Sequence, residues 1–170
     1  MAAVPVHYVE DGPAGAPAVV LASSLGTTAA MWEPQRAALA GRFRVVRYDH
    51  RGHGGSPVPP GPYRLDDLGA DLLALLDRLD LAQAHVCGIS LGGMVGMWLA
   101  AHAPDRVNRL ALLSTSARLG PPEGWAQRAA TVRTEGTAAV ADTVVERWFT
   151  AEFAAGHRDL VRRHRDRLRR

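Results

Sequence analysis

The chain predicts an α/β fold, a mostly parallel sheet with flanking helices and a partial helical cap. Three observations predict it. Short apolar runs alternate with longer stretches of 3.6-residue periodicity, the pattern of strand–helix–strand units. Small-residue or glycine-rich loops follow several of these runs, where open parallel sheets bind ligands. The stretch Ala84–Ala103, AHVCGISLGGMVGMWLAAHA, passes from an apolar strand through a glycine turn into an almost wholly apolar helix.

Taken in order, Val4–Glu10 alternates and is expected to be a strand, closed by the turn cluster DGPAGAP. Ala18–Ala22 is a short apolar run suited to a buried parallel strand. The polar loop Ser23–Thr28 follows, then a helix over Met31–Ala40 with Gly41 as its C-cap. Phe43–Tyr48 is the next strand, and Asp49–Pro62 is too rich in Gly and Pro to be anything but loop. Leu65–Leu79 carries Leu65, Leu68, Leu72, Leu75, Leu76 and Leu79 on one stripe, an amphipathic helix. After the central strand, turn and helix, Pro104-Asp105 ends the helix and Val107–Leu113 is a further strand. Ser24, Asp49, Ser90 and Ser114 all fall just past strand ends. Beyond Ala117 the character changes. Leu119–Pro122 is a linker, and Trp125–Arg133, Ala138–Phe149 and Asp159–Leu168 read as helices with no strand between them. The expected division is a sheet-bearing part, 1–118, and a helical cap, 119–170.

Composition narrows the class. The 170 residues carry a net charge of +3, and every basic side chain other than histidine is arginine. The basic excess is local: His157–Arg170 holds seven arginines against Asp159 and Asp166. Arginine interleaved with leucine and aspartate reads as a solvated helix face, so neither nucleic acid nor a membrane surface is the expected partner. A single cysteine, Cys87, excludes an internal disulfide framework. No signal-peptide pattern opens the chain, and no apolar run reaches the ~18 residues of a membrane span. A cytoplasmic location is expected.

The pattern G-x-S-x-G at Gly88, Ser90 and Gly92 is the signature of a nucleophile elbow, a sharp strand-to-helix turn that lifts a serine hydroxyl out of the strand end. The alternative is an ordinary β–α turn with a capping serine. The Leu91 N–H, at the positive end of the helix dipole, is placed to face an oxyanion. The loop Ser23–Gly26 is placed to supply a second N–H, and two such donors make an oxyanion hole. A third loop, Asp49–Ser56, reads D-x-R-G-x-G-x-S.

Together these resemble the α/β-hydrolase superfamily and, within it, the 3-oxoadipate enol-lactonases. The resemblance rests on SSLGTTAAMWEPQ (Ser23–Gln35), RYDHRGHGGSPVPPGPY (Arg47–Tyr63), Asp71–Ala100 and VVERWFT (Val144–Thr150). It implies that Ser90 is the nucleophile and that the N–H groups of Leu25 and Leu91 form the oxyanion hole. It implies a substrate contact from Ser24, a small lactone or ester as substrate, and no metal or organic cofactor. Triad partners in this fold follow the serine in the order acid, then histidine, and neither is found in this chain. The sequence therefore reads as roughly the first two-thirds of such an enzyme, with an incomplete sheet whose exposed edge invites self-association.

The remaining candidates read as structural. His102 and Asp105 are helix-end residues, and His50 and His53 are surface-loop residues, with pocket lining as the alternative. His157 and His164, with Asp142 or Asp159 as partners, match no catalytic spacing. Cys87 is a small residue in a buried strand. Trp32, Trp98, Trp125 and Trp148 are packing residues, with substrate contact as the alternative for Trp125. Two other functional readings stay open: a carboxylesterase or perhydrolase on the same scaffold, and a non-catalytic interaction module.

Overall fold

The computed structural model describes Ala2–Arg169. The chain divides into two compact units, the first running to Ala117 and the second from Arg118.

The first unit is a five-stranded sheet of order β1-β3-β2-β4-β5, with β1 Tyr8–Asp11, β2 Ala18–Ala22, β3 Arg44–Tyr48, β4 Ala84–Ile89 and β5 Val107–Leu113. Only β1 is antiparallel; it pairs with β3. The other four are parallel, so β2, β3, β4 and β5 all end on one side of the sheet. The loops holding Ser24, Asp49, Ser90 and Ser114 therefore open along one rim. α2 (Leu65–Arg78) and α3 (Leu91–His102) belong to the larger core, in which Val20, Val46, Tyr48 and Val86 meet Leu72, Leu75, Leu76, Val95 and Leu99. Trp32 and Leu39 pack with Val19, Leu21 and Val45 in a second cluster. β5 lies at the sheet edge with Leu112 and Leu113 about two-fifths exposed (42% and 41%).

Three expected elements change. The first strand is shorter than Val4–Glu10, because the Val4 and His7 N–H groups donate to Asp71 Oδ1 and Ser56 Oγ instead of to a sheet partner. The helix expected at Met31–Ala40 is a 3₁₀ turn, Ala29–Trp32, followed by α1, Glu33–Leu39; Pro34 sits in the first turn of α1, where its missing N–H costs nothing. Ala40, not Gly41, caps α1.

The second unit contains α4 (Pro122–Glu135), α5 (Ala138–Glu146), α6 (Ala151–Gly156) and α7 (Arg158–Leu168). The helix expected to run from Ala138 to Phe149 stops at Glu146. α6 is a separate element, started by Thr150 Oγ1 accepting the Phe153 N–H. Ala141, Val144, Val145 and Leu168 form its buried cluster, with Trp148, Phe149 and Val161 against them. Arg165 and Arg169 pair with Asp142, so part of the arginine-rich segment is tied to α5.

Candidate active site

The elbow is built by close approach. A Cβ on Gly88 would lie 2.2 Å from the Gly92 carbonyl oxygen, and one on Gly92 would lie 2.1 Å from the carbonyl oxygen of Ala22. The turn closes this tightly only because both positions lack side chains. Ser90 sits at φ 51°, ψ −114°, a region in which a non-glycine residue costs on the order of 1–3 kcal/mol. Its side chain makes no capping bond, which removes the reading of Ser90 as a capping serine. The backbone is held from both sides: the Ser90 N–H donates to Leu113 O at 3.0 Å, and Thr115 Oγ1 donates to Ser90 O at 2.7 Å. Among the described residues, no side chain hydrogen-bonds to Ser90 Oγ.

The second strand end is equally close. β2 pairs with β4 in the register Ala22↔Gly88, and a Cβ on Gly92 would also lie 2.8 Å from Ser23 O. The Ser23–Thr28 loop thus starts against the first turn of α3. Among the described residues, neither the Leu25 N–H nor the Leu91 N–H donates to a protein acceptor, and Leu25 is 36% exposed. Two unspent backbone donors and the half-buried Ser90 share one rim.

The Asp49–Ser56 loop supports this rim. Asp49 is buried and accepts from the N–H groups of Ala29 (2.6 Å) and Gly55 (2.9 Å), while its Oδ2 meets His7 Nδ1 at 3.0 Å. The expectation of surface-loop histidines is corrected. His50 is buried at 2% exposure, with Nε2 2.9 Å from Ser23 O, and His53 is half-buried, with Nε2 3.0 Å from the Gly26 nitrogen. Burial pushes the His50 imidazole down from 6.5 to about 4, against the opposing pull of its bond to the Ser23 carbonyl. Because Ser23 O is an acceptor, Nε2 of His50 carries the proton.

A pH effect follows. Above pH 6.5 His50 is neutral in both folded and unfolded chains. Below it, the unfolded chain takes up a proton that the folded chain refuses until about pH 4. Stability is therefore expected to fall by about 1.4 kcal/mol per pH unit across that window, roughly 3 kcal/mol in all. Urea unfolding at pH 7, 6, 5 and 4 checks this. The variant His50→Gln, which keeps a donor for Ser23 O, should lose that part of the slope.

The other candidates are dispersed. Ser24 is half-exposed, and its carbonyl accepts from Thr27. Trp125, on α4 of the second unit, is 40% exposed and donates from Nε1 to Leu119 O. His102 ends α3, its ring stacked on Trp98 at 4.4 Å. Trp32 is buried, whereas Trp98 is half-exposed with Nε1 2.7 Å from Asp66 Oδ1. His157 stacks on Phe153, and His164 sits against Trp148 and Phe149. Cys87 is half-exposed rather than buried, because it lies on the face of β4 away from α3, where only the smaller cluster adjoins it. Among the described residues, no group of three or more His, Cys, Asp or Glu could hold a metal ion, and no helix is long and apolar enough to cross a membrane.

Comparison with known proteins agrees with this architecture. The chain is 44% identical over 158 residues to 3-oxoadipate enol-lactonase 2 of Acinetobacter baylyi, covering 93% of this chain and 59% of that protein. Over 110 residues it is 46% identical to a protein of Caulobacter segnis provisionally named carbamate hydrolase RutD, covering 64% of this chain and 41% of that protein. The crystal structure of the enol-lactonase from Burkholderia xenovorans LB400 superposes with a TM-score of 0.94 at 48% identity, over 96% of this chain and 64% of that one. The chain thus spans less than two-thirds of the length of each of these relatives. The family model for the alpha/beta hydrolase fold matches residues 17–165, and with it the sheet order, the glycine-framed serine and these relatives agree: the chain belongs to the α/β-hydrolase fold family.

Proposed function

We propose that this chain carries the nucleophile and oxyanion-hole portion of a serine hydrolase of the enol-lactonase type, acting on 3-oxoadipate enol-lactone. The observation that supports it most is the strained, uncapped Ser90 beside two unspent backbone donors, in a chain 44% identical to an enol-lactonase. In this reading Ser90 Oγ attacks the lactone carbonyl carbon. The N–H groups of Leu91 and Leu25 receive the negative charge that develops on the carbonyl oxygen. The acyl carbon–oxygen bond then breaks and the enolate oxygen leaves, still tethered to the acyl chain. Water attacks the acyl-enzyme, and 3-oxoadipate is released with Ser90 restored. Ser24 and Trp125 are proposed substrate contacts. The general base and its acid are assigned to no residue of these 170. A carbamate as substrate is the second reading, favoured by the 46% identical Caulobacter relative.

Fluorophosphonate labelling of the purified chain, read by intact mass, tests the reading. Oxyanion donors and binding alone retain on the order of 10³–10⁴-fold over water when a triad member is missing, so slow labelling is expected. One adduct per chain should form at Ser90 and be lost in Ser90→Ala. A folded chain that takes no label, or a Ser90→Ala variant that labels equally, would overturn it. Release of acid from the enol-lactone, a phenyl ester and an N-alkyl carbamate, compared at one concentration, separates the two substrate readings.

A further inference from the structure

The loop that carries the Leu25 N–H is a β-turn whose central peptide has two accessible orientations. The Thr27 N–H donates to Ser24 O at 3.2 Å, and Gly26, the third residue of the turn, has φ 76°. Positive φ at that position is the type II form. In type I the peptide between the second and third residues is reversed, and a glycine in the third position tolerates either. Local sequence therefore does not decide which way the Leu25–Gly26 peptide faces.

A side chain from the neighbouring loop decides it. The Gly26 N–H, which belongs to that peptide, donates to His53 Nε2 at 3.0 Å. His53 Nδ1 lies 3.1 Å from Arg51 O. A carbonyl can only accept, so Nδ1 holds the ring proton and Nε2 is left as the acceptor. Both nitrogens are thus committed, and the tautomer is fixed by backbone groups on either side. We infer that His53 is a positioning residue: its neutral, Nδ1-protonated ring holds the Leu25–Gly26 peptide in the type II orientation and so sets the frame in which Leu25 presents its N–H.

The neighbours leave this role to His53. His50 grips Ser23 O at the start of the turn, and Asp49 grips the Ala29 N–H beyond it, but neither bonds the central peptide. The titratable neighbour on the same loop is the His50 ring, 6.1 Å away. The charges on either side are engaged elsewhere, Asp49 with His7 and Arg51 with Asp71. The Ser23–Thr28 turn itself carries no titratable side chain. A doubly protonated His53 would turn a donor toward the Gly26 N–H, and the reversed peptide, with the Leu25 carbonyl facing the ring, becomes the favourable form. The consequence for catalysis rests on the proposed oxyanion role of Leu25; the turn geometry does not.

The test is made on the ¹⁵N-labelled 170-residue chain, so that the two parts separate. At pH 8 a scalar coupling across the hydrogen bond should link the Gly26 amide nitrogen to His53 Nε2. In His53→Ala the Gly26 resonance should move and the coupling vanish, with the melting temperature measured alongside as the fold control. His53→Gln, whose Oε1 can accept the same N–H, should return Gly26 toward its original position. A Gly26 resonance indifferent to His53→Ala, or a Gly26–His53 coupling that is absent in the parent, would overturn the inference, whatever Ser90 does. Where Ser90 labels, the rate should fall on the order of 10-fold in His53→Ala, less than the 10²–10³ of deleting a donor outright, and recover in His53→Gln. An unchanged rate would overturn the role in positioning Leu25. No labelling in any variant would instead count against the proposed function, and the coupling would still decide the turn.

Discussion

Replacing Arg51 by methionine is expected to destabilise the first unit by about 3–5 kcal/mol, the cost of leaving one buried charge without its partner. Arg51 and Asp71 side chains are 0% and 1% exposed. The guanidinium forms a two-pronged pair with Asp71, Nε to Oδ2 at 2.6 Å and a terminal nitrogen to Oδ1 at 2.7 Å, and also donates to Asp67 O at 3.2 Å. Asp71 Oδ1 in turn accepts the Val4 N–H at 2.7 Å. Methionine fills much of the arginine volume but leaves a carboxylate in the core with one backbone donor. Against a typical total stability of about 5–15 kcal/mol, such a loss is a third or more. Urea unfolding of the single variant measures it. The double variant Arg51→Met with Asp71→Leu should recover most of the loss, since replacing both charges removes the desolvation penalty along with the attraction. A single variant within 1 kcal/mol of the parent would show that the pair carries little.

Gly92→Ala is the second large effect, expected to cost at least about 3 kcal/mol, the upper end of overpacking. The new methyl group would sit 2.1 Å from Ala22 O and 2.8 Å from Ser23 O, and both obstacles are backbone. No rotamer change relieves them; either β2 or α3 must shift. Either movement separates the Ser23–Thr28 loop from the start of α3, so Ser90 labelling should fall in the same variant, beyond what the lost stability alone explains. A variant that unfolds at the parent's urea midpoint would contradict the packing of the elbow.

How much of this was legible in the sequence depended on the reach of each interaction. β2 and β5 fall where apolar runs bounded by loop residues placed them; β2, buried between β3 and β4, is written in consecutive apolar residues, and β5, at the sheet edge, carries a similar run in Leu110–Leu113. The elbow was legible because its geometry forbids side chains at two fixed positions around Ser90. What was missed lies in pairings between loops. Asp67 and Asp71 are buried on α2 among the leucines that defined its apolar stripe, because Arg51 from another segment meets Asp71 there. His50 and His53 stand in a glycine-rich loop, which suggested solvent. They face inward because β2 and β3 are parallel neighbours and emit their loops side by side. The early end of the first strand likewise depends on two side chains, Asp71 and Ser56, that lie far along the chain.

The strand order also sets a timetable for synthesis. β2 pairs with β3 through the short segment between them, but its other neighbour is β4, with Val20 opposite Val86. Until β4 leaves the ribosome, β2 is an edge strand of consecutive apolar residues, AVVLA, with its hydrogen-bonding groups open on that side. Closing such a long loop is slow compared with forming α2 locally. The nascent chain therefore passes through an interval in which its most buried strand is its most aggregation-prone, until β4 arrives to close that edge.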